Sequence, residues 1–187
     1  MNDDLHPPAS PDAAPILATL AAQIGFTPNV FAVLGQSPQA LEAFASMNDL
    51  FAATSLTAIE REIVQTAASV KNECSYCVAG HTAFADMQGL DPNVIEAVRE
   101  NREIENHRLE ALRRFSLALI DTAGRDANAE LAAFLKAGYR KDQVFDVILG
   151  ISIKMFSNLA SSITALPLDD AFAPFEWSPA DRRRGAA

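Results

Sequence analysis

Residues 57–89 read TAIEREIVQTAASVKNECSYCVAGHTAFADMQG, and their punctuation decides the fold. Thr57-Ala58-Ile59-Glu60 has the form of a capping box, in which a hydroxyl and a carboxylate satisfy the free N–H groups of a helix start, so a helix opens at Thr57. An apolar-periodic run follows as far as Lys71-Asn72-Glu73, a polar break where Asn72 can serve as the residue just past the helix end. The next helix opens near Cys74 or Ser75 and closes at Gly89. Working outward, almost every other segment carries helical punctuation too, and none reads convincingly as a strand.

The second of these helices holds the chain's only two cysteines, Cys74 and Cys77, with His81 four residues further on. Positions i, i+3, i+4 and i+7 of a helix share one stripe, so the two thiols and the imidazole face the same way. In the first turn, unpaired backbone N–H groups and the positive dipole end favour a thiolate, which singles out Cys77. The gain is large, because a free cysteine of pKa about 8.5 is only ~3% ionised at pH 7 and one lowered to about 7 is roughly half ionised. Cys74, at or before the cap, is expected to be the more solvent-facing thiol. Three blander alternatives compete with a reactive pair. Free cysteine often serves as a small buried hydrophobe. A zinc site needs further ligands, and His6 in a proline-rich tail and His107 in a charged stretch do not supply them, so no metal is expected. A structural disulfide over so short a loop would constrain the unfolded chain very little.

Glu62, twelve residues ahead of Cys74, completes a pattern. Glu62, Cys74, Cys77 and His81 at these spacings resemble the signature of the AhpD-like alkylhydroperoxidase group within the carboxymuconolactone decarboxylase family. Gly25-Phe26-Thr27-Pro28-Asn29-Val30-Phe31 followed by Ser37-Pro38, and Gly138-Tyr139 ahead of a long apolar helix containing Asn158, are similar to its peroxidase-related branch. The resemblance covers roughly residues 15 to 170. It implies an all-α, AhpD-like domain of about eight helices without a sheet, and a thiol-dependent reduction of alkyl hydroperoxides. By that resemblance Cys77 attacks the peroxide, Cys74 resolves the sulfenic acid to a disulfide, and Glu62 and His81 relay protons. An external thiol or dithiol would restore the pair, and the subunits would form trimers or hexamers. One departure stands out: Tyr76 occupies the place of a second relay histidine, and a phenol of pKa about 10 cannot shuttle protons near pH 7. Tyr76 is therefore at most a supporting residue. A disulfide reductase, for which Tyr76 is no handicap, and a non-catalytic redox-sensing subunit are the alternatives.

A chain of 187 residues, about half of them hydrophobic, is enough for one domain with a sizeable core. The expected organisation is a disordered tail at 1–14, a helical domain at 15–170 and a C-terminal arm at 171–187. Helices are expected at 15–24, 38–53, 57–71, 74–88, 92–100, 106–123, 128–137 and 141–164, with a short turn from Pro28 to Gly35. With 24 acids against 15 bases the net charge is −9, which disfavours a nucleic-acid partner. No nicotinamide, flavin or haem motif is visible, so no cofactor is expected. No segment offers a long uninterrupted apolar run for a membrane, and the first fifteen residues are acidic and proline-rich rather than signal-like, which points to the cytoplasm. There exposed thiols stay reduced, so an adjacent pair reads as transient and catalytic. Residues 141–164 are apolar on more than one stripe, which suits a central helix or a subunit interface. Trp177, Phe172 and Phe175 are expected to pack the arm onto the body or onto a neighbour, Phe84 and Met87 to line the cavity or simply pack the core, and Arg182-Arg183-Arg184 to end an exposed tail.

Overall fold

Local signals set most helix ends. The computed structural model describes residues 8–180. Among these lie the helices α1 (Ala14–Ile24), α2 (Asn29–Leu34), α3 (Pro38–Ala52), α4 (Ala58–Lys71), α5 (Ser75–Met87), α6 (Pro92–Arg99), α7 (His107–Thr122), α8 (Asn128–Lys136) and α9 (Gln143–Thr164), with no strand. The Ser37 hydroxyl caps α3, Asp91 caps α6 ahead of Pro92, and Thr57 and Glu60 form the capping box of α4. The all-α expectation therefore holds. Packing begins earlier than residue 15, since the Ser10 N–H donates to the Gly35 carbonyl at 2.8 Å and Ala13 is fully buried. The arginine cluster at 182–184 and His6 lie outside the described residues.

The α4–α5 junction differs from expectation in one detail. Asn72 stays in a right-handed turn, and Glu73 takes the left-handed conformation at φ 55°. The Cys74 N–H then donates to Ser69 O at 3.0 Å and the Glu73 N–H to Val70 O at 3.1 Å, the double bond of a Schellman closure. The polar break was placed correctly, but the residue that turns it is a glutamate.

Helix α4 is the axis of the bundle, packed against α5, α6, α7 and α9, and Glu62 through Val70 are all buried. Helix α9 is two-faced. Val147, Gly150, Ile153, Lys154, Ser157, Asn158 and Ser161 face inward, while Phe145, Leu159 and Ile163 are about two-thirds exposed at 71%, 63% and 67%. By length and composition α9 does meet the requirement of a membrane span, which corrects the expectation that no segment would. Its polar inward face is nonetheless that of a helix packed into a protein interior.

The C-terminal segment seals one end of the bundle. A 3-10 turn at Asp170–Phe175 delivers Phe172 onto Gly80, where a Cβ would come within 3.2 Å of the ring. Phe172 meets Phe26, Tyr76 and Phe84 edge-on at centroid distances of 5.7, 5.8 and 5.5 Å. Full burial of such a ring contributes on the order of 1.5–3 kcal/mol. The Trp177 indole N–H donates to Arg99 O at 3.2 Å, so the arm packs onto the body, one of the two placements expected.

Candidate functional site

Helices α4, α5 and α9 each contribute one part of a buried cluster. On α5, Cys74 is the N-cap residue, and its sulfur accepts the Cys77 N–H at 3.4 Å. On α4, Glu62 reaches across to His81, with its Oε2 2.8 Å from Nδ1. The Gln88 amide donates to the other carboxylate oxygen at 3.3 Å. The structure thus brings Cys74, Cys77, His81 and Glu62 together. It also corrects one expectation, because Cys74 is no more exposed than Cys77: both are 4% accessible. The fold covers the cap that sequence alone left open.

Helix α9 supplies what sequence reasoning missed. Lys154, the only cation of that helix, is 5% exposed, and its Nζ lies 2.6 Å from His81 Nε2. An ammonium has donors and no acceptor, so Nε2 presents its lone pair and the ring proton sits on Nδ1, donated to Glu62. The order across the site is carboxylate, imidazole, ammonium. One turn further, Asn158 accepts from the Asn72 amide at 2.9 Å and donates to Ser69 Oγ at 3.4 Å, and Ser161 Oγ lies 3.7 Å from Cys77 Sγ. The available signal was a lone lysine inside the most apolar stretch of the chain, a charge that burial tolerates only with partners.

These neighbours divide the two thiols. A hydrogen bond from the Cys74 thiol, working against burial, brings Cys77 down to about 5, helped by the Lys154 charge, the Ser161 hydroxyl and the Asn158 amide. Cys74 moves in the opposite direction, raised by that same hydrogen bond, by burial and by the charge on Cys77. The pair therefore holds one thiolate, on Cys77, and one thiol, on Cys74.

Tyr76 is spent elsewhere. Its hydroxyl donates to Asp169 Oδ2 at 2.5 Å and accepts from the Val30 N–H at 3.2 Å, and Asp169 also accepts from the Asn29 N–H at 3.1 Å. Burial, followed by Asp169, pushes its phenol well above the usual tyrosine range. It anchors the C-terminal segment to α2 and carries no exchangeable proton to the thiols. Phe84 stands beside His81 with centroids 6.3 Å apart, whereas Met87 is 65% exposed and takes no part. Glu60 remains a capping residue, paired with Arg108 at 3.0 Å. His107 merely opens α7 at the surface.

A cavity of about 340 Å³ opens onto Cys77, His81 and Lys154. Phe31, Phe44, Phe51, Phe84 and Phe172 set aromatic rings in its walls beside Leu20, Ile24 and Val30, and Asn48, Asp49, Arg61 and Gln65 supply polar edges. Among the described residues no cluster of histidine, cysteine and carboxylate groups suits a metal ion. A buried thiolate with a paired thiol, an ordered proton path and an apolar antechamber can carry out nucleophilic attack by sulfur on a small substrate.

An all-helical bundle with a Cys-X-X-Cys pair at a helix start defines a class of thiol-bearing helical proteins. A family model for carboxymuconolactone decarboxylase matches residues 38–113, which span α3 to α7 and include the whole cassette. Over that stretch the chain matches the carboxymuconolactone decarboxylase family, and its fold is AhpD-like. A peroxidase-related protein with an alkylhydroperoxidase AhpD core from Ralstonia eutropha JMP134 superposes with a TM-score of 0.78 at 25% identity, over 88% of each chain. A peroxidase-related protein from Silicibacter sp. TM1040 gives 0.77 at 19% identity, over 89% of this chain and 91% of that one. A cysteine-to-alanine variant of the debrominase Bmp8 in complex with 2,3,4-tribromopyrrole gives 0.77 at 17% identity, over 91% of this chain and 95% of that one. No curated protein matches the chain in sequence. The fold thus carries more than one chemistry.

Proposed function

We propose that this protein is a thiol-dependent peroxidase acting on organic hydroperoxides. The observation that carries this reading is the cavity leading to a Cys77 thiolate that has both a resolving thiol, Cys74, and the Glu62–His81 pair beside it. Cys77 attacks the peroxide oxygen and becomes a sulfenic acid, and Cys74 displaces water from it to give the disulfide. Glu62 orients His81 and fixes its tautomer, and the imidazole passes protons toward the thiols. An external thiol or dithiol reduces the disulfide, as a reducing compartment such as the cytoplasm would allow.

Size and burial narrow the substrate. The cavity has roughly ten times the volume of a water, ~30 Å³, so it is far larger than hydrogen peroxide needs and matches an apolar organic hydroperoxide. Burial of both sulfurs counts against a folded protein's disulfide as substrate, which sets the disulfide-reductase alternative lower. The aromatic walls favour one second reading, reductive removal of a substituent from a flat apolar ring by the same thiol pair.

The test is thiol counting by mass spectrometry on reduced protein before and after one equivalent of cumene hydroperoxide. Rapid loss of both thiols, with a trapped sulfenic acid on Cys77 in Cys74→Ser and no reaction in Cys77→Ser, is the expected result. Survival of both thiols in peroxide would refute the peroxidase reading. Oxidation by a halogenated aromatic instead would favour the second.

A further inference from the structure

In the reduced site a thiolate and an ammonium offset each other; once the disulfide forms, the thiolate is gone and Lys154 is still buried. Burial pushes Lys154 below the ordinary lysine value, and the charge on Cys77 is the largest of those that push it back up, ahead of Glu62 and Cys74. Oxidation removes that largest support. A neutral amine keeps two N–H groups, so the 2.6 Å bond to His81 Nε2 survives the loss of the proton.

We propose that Lys154 releases one proton when the Cys74–Cys77 pair is oxidised and regains it on reduction, being an ammonium beside the thiolate and an amine beside the disulfide. This rests on the proposed redox activity of the pair, and makes Lys154 the group that protonates the leaving oxygen. Other charged groups are differently placed. Helix α4 presents Glu62, and α5 presents Cys74, Cys77 and His81, while α9 itself adds only Ser157, Asn158 and Ser161 nearby. Asp49 of α3 and Arg61 of α4 share the cavity lining, and the Arg61 guanidinium donates to Leu56 O. Helix α2 has no ionisable residue. On α7, Arg113 pairs with Glu110, Asp121 with Lys71, Arg114 with Glu130 and Arg108 with Glu60.

The steps balance. The Cys77 thiolate attacks the terminal oxygen of R–O–O–H; the S–O bond forms, the O–O bond breaks, and RO⁻ takes a proton from Lys154 to leave as ROH. The Cys74 sulfur then attacks the sulfenic sulfur; the S–S bond forms, the S–O bond breaks, and the thiol proton leaves with hydroxide as water. Thiolate, thiol, ammonium and hydroperoxide have become disulfide, amine, alcohol and water, with no net charge on either side. An external dithiol returns two electrons and two protons, one to Cys74 and one to Lys154.

The consequence is a count of protons. If Lys154 cycles, reduction of the disulfide takes up two protons although Cys77 emerges ionised; if its charge is fixed, only Cys74 takes one. Dithiothreitol gives up two protons when oxidised near neutral pH, so the exchange equilibrium between it and the full-length protein is diagnostic. We expect a constant independent of pH between pH 6 and 8, together with a Cys77 alkylation midpoint below pH 6. A constant that rises about tenfold per pH unit, the signature of one proton fewer, would overturn the proposal. So would a flat constant with Cys77 alkylating only above pH 8, since both protons would then reside on thiols. Lys154→Arg, whose guanidinium stays protonated, should restore the tenfold rise. The measurement uses no peroxide, so a protein that forms the disulfide but lacks peroxidase activity fails the functional reading alone. One that never forms it fails both.

Discussion

Replacing Cys74 by alanine removes the strongest influence that keeps Cys77 ionised while leaving Lys154, Ser161 and Asn158 in place. A hydrogen bond to a charged group contributes about 1.5–3 kcal/mol, and each pKa unit corresponds to about 1.4 kcal/mol, so the loss amounts to roughly one to two units. The Cys77 midpoint should therefore move from about 5 to roughly 6–7. At pH 6 the thiolate fraction would fall from about 90% to between ~50% and ~10%. The assay is the rate of carbamidomethylation by iodoacetamide across pH 4 to 9, with fragment-ion mass spectrometry locating the label on Cys77. The midpoint is the quantity to compare, because a thiolate of lower pKa is also a weaker nucleophile and absolute rates mix the two effects. An unchanged midpoint in the variant, or a parent midpoint near the ordinary ~8.5, would refute the reasoning.

Gly150→Ala should destabilise the protein by up to about 2 kcal/mol, because overpacking costs ~1–3 kcal/mol and the gain in helix propensity is only ~1 kcal/mol. The added Cβ would lie 2.6 Å from Phe51 Cζ and 2.9 Å from Val64 Cγ1, and a raised denaturation midpoint would contradict so close an approach of α9 to α3 and α4. Glu60 is buried, which raises its carboxyl, yet its bonds to Thr57, with Tyr139 and Arg108, outweigh this and hold it below the usual value. A carboxylate depressed on folding adds stability that is present above its unfolded pKa and lost as pH falls through the folded one. Wild type should accordingly exceed Glu60→Gln by roughly 1 kcal/mol at pH 7, a margin that shrinks below ~pH 4 in urea titrations. Tyr76→Phe should cost about 1–3 kcal/mol of stability through the abandoned Asp169 and Val30 partners, yet leave the Cys77 alkylation midpoint in place. A shifted midpoint would return Tyr76 to the proton path.

Helix ends were legible because capping is local: Thr57 with Glu60, Ser37 with Pro38 and Asp91 with Pro92 announce themselves within four residues. The α4–α5 turn was misassigned by one position because Asn tolerates a left-handed backbone better than Glu, and the closure by Ser69 and Val70 overrode that preference. The spacing of Glu62, Cys74, Cys77 and His81 identified a patch that the fold gathers. What closes over the patch arrives from far along the chain. Lys154 is 73 residues from His81, Ser161 is 84 from Cys77, and Asp169 is 93 from Tyr76. Such pairings depend on which face of α9 and of the C-terminal turn meets α5, and no window of sequence holds that information. The burial of Cys74 was missed for the same reason.

The Schellman closure has a mechanical meaning. The amide of Cys74 ends one helix while its sulfur begins the next, so the two thiols sit on a splice between stiff rods and not on a loop. A splice has no slack to take up. In the proposed cycle, forming and breaking the S–S bond there falls to rotation about side-chain bonds, with the backbone as a fixed jig and the core closed throughout.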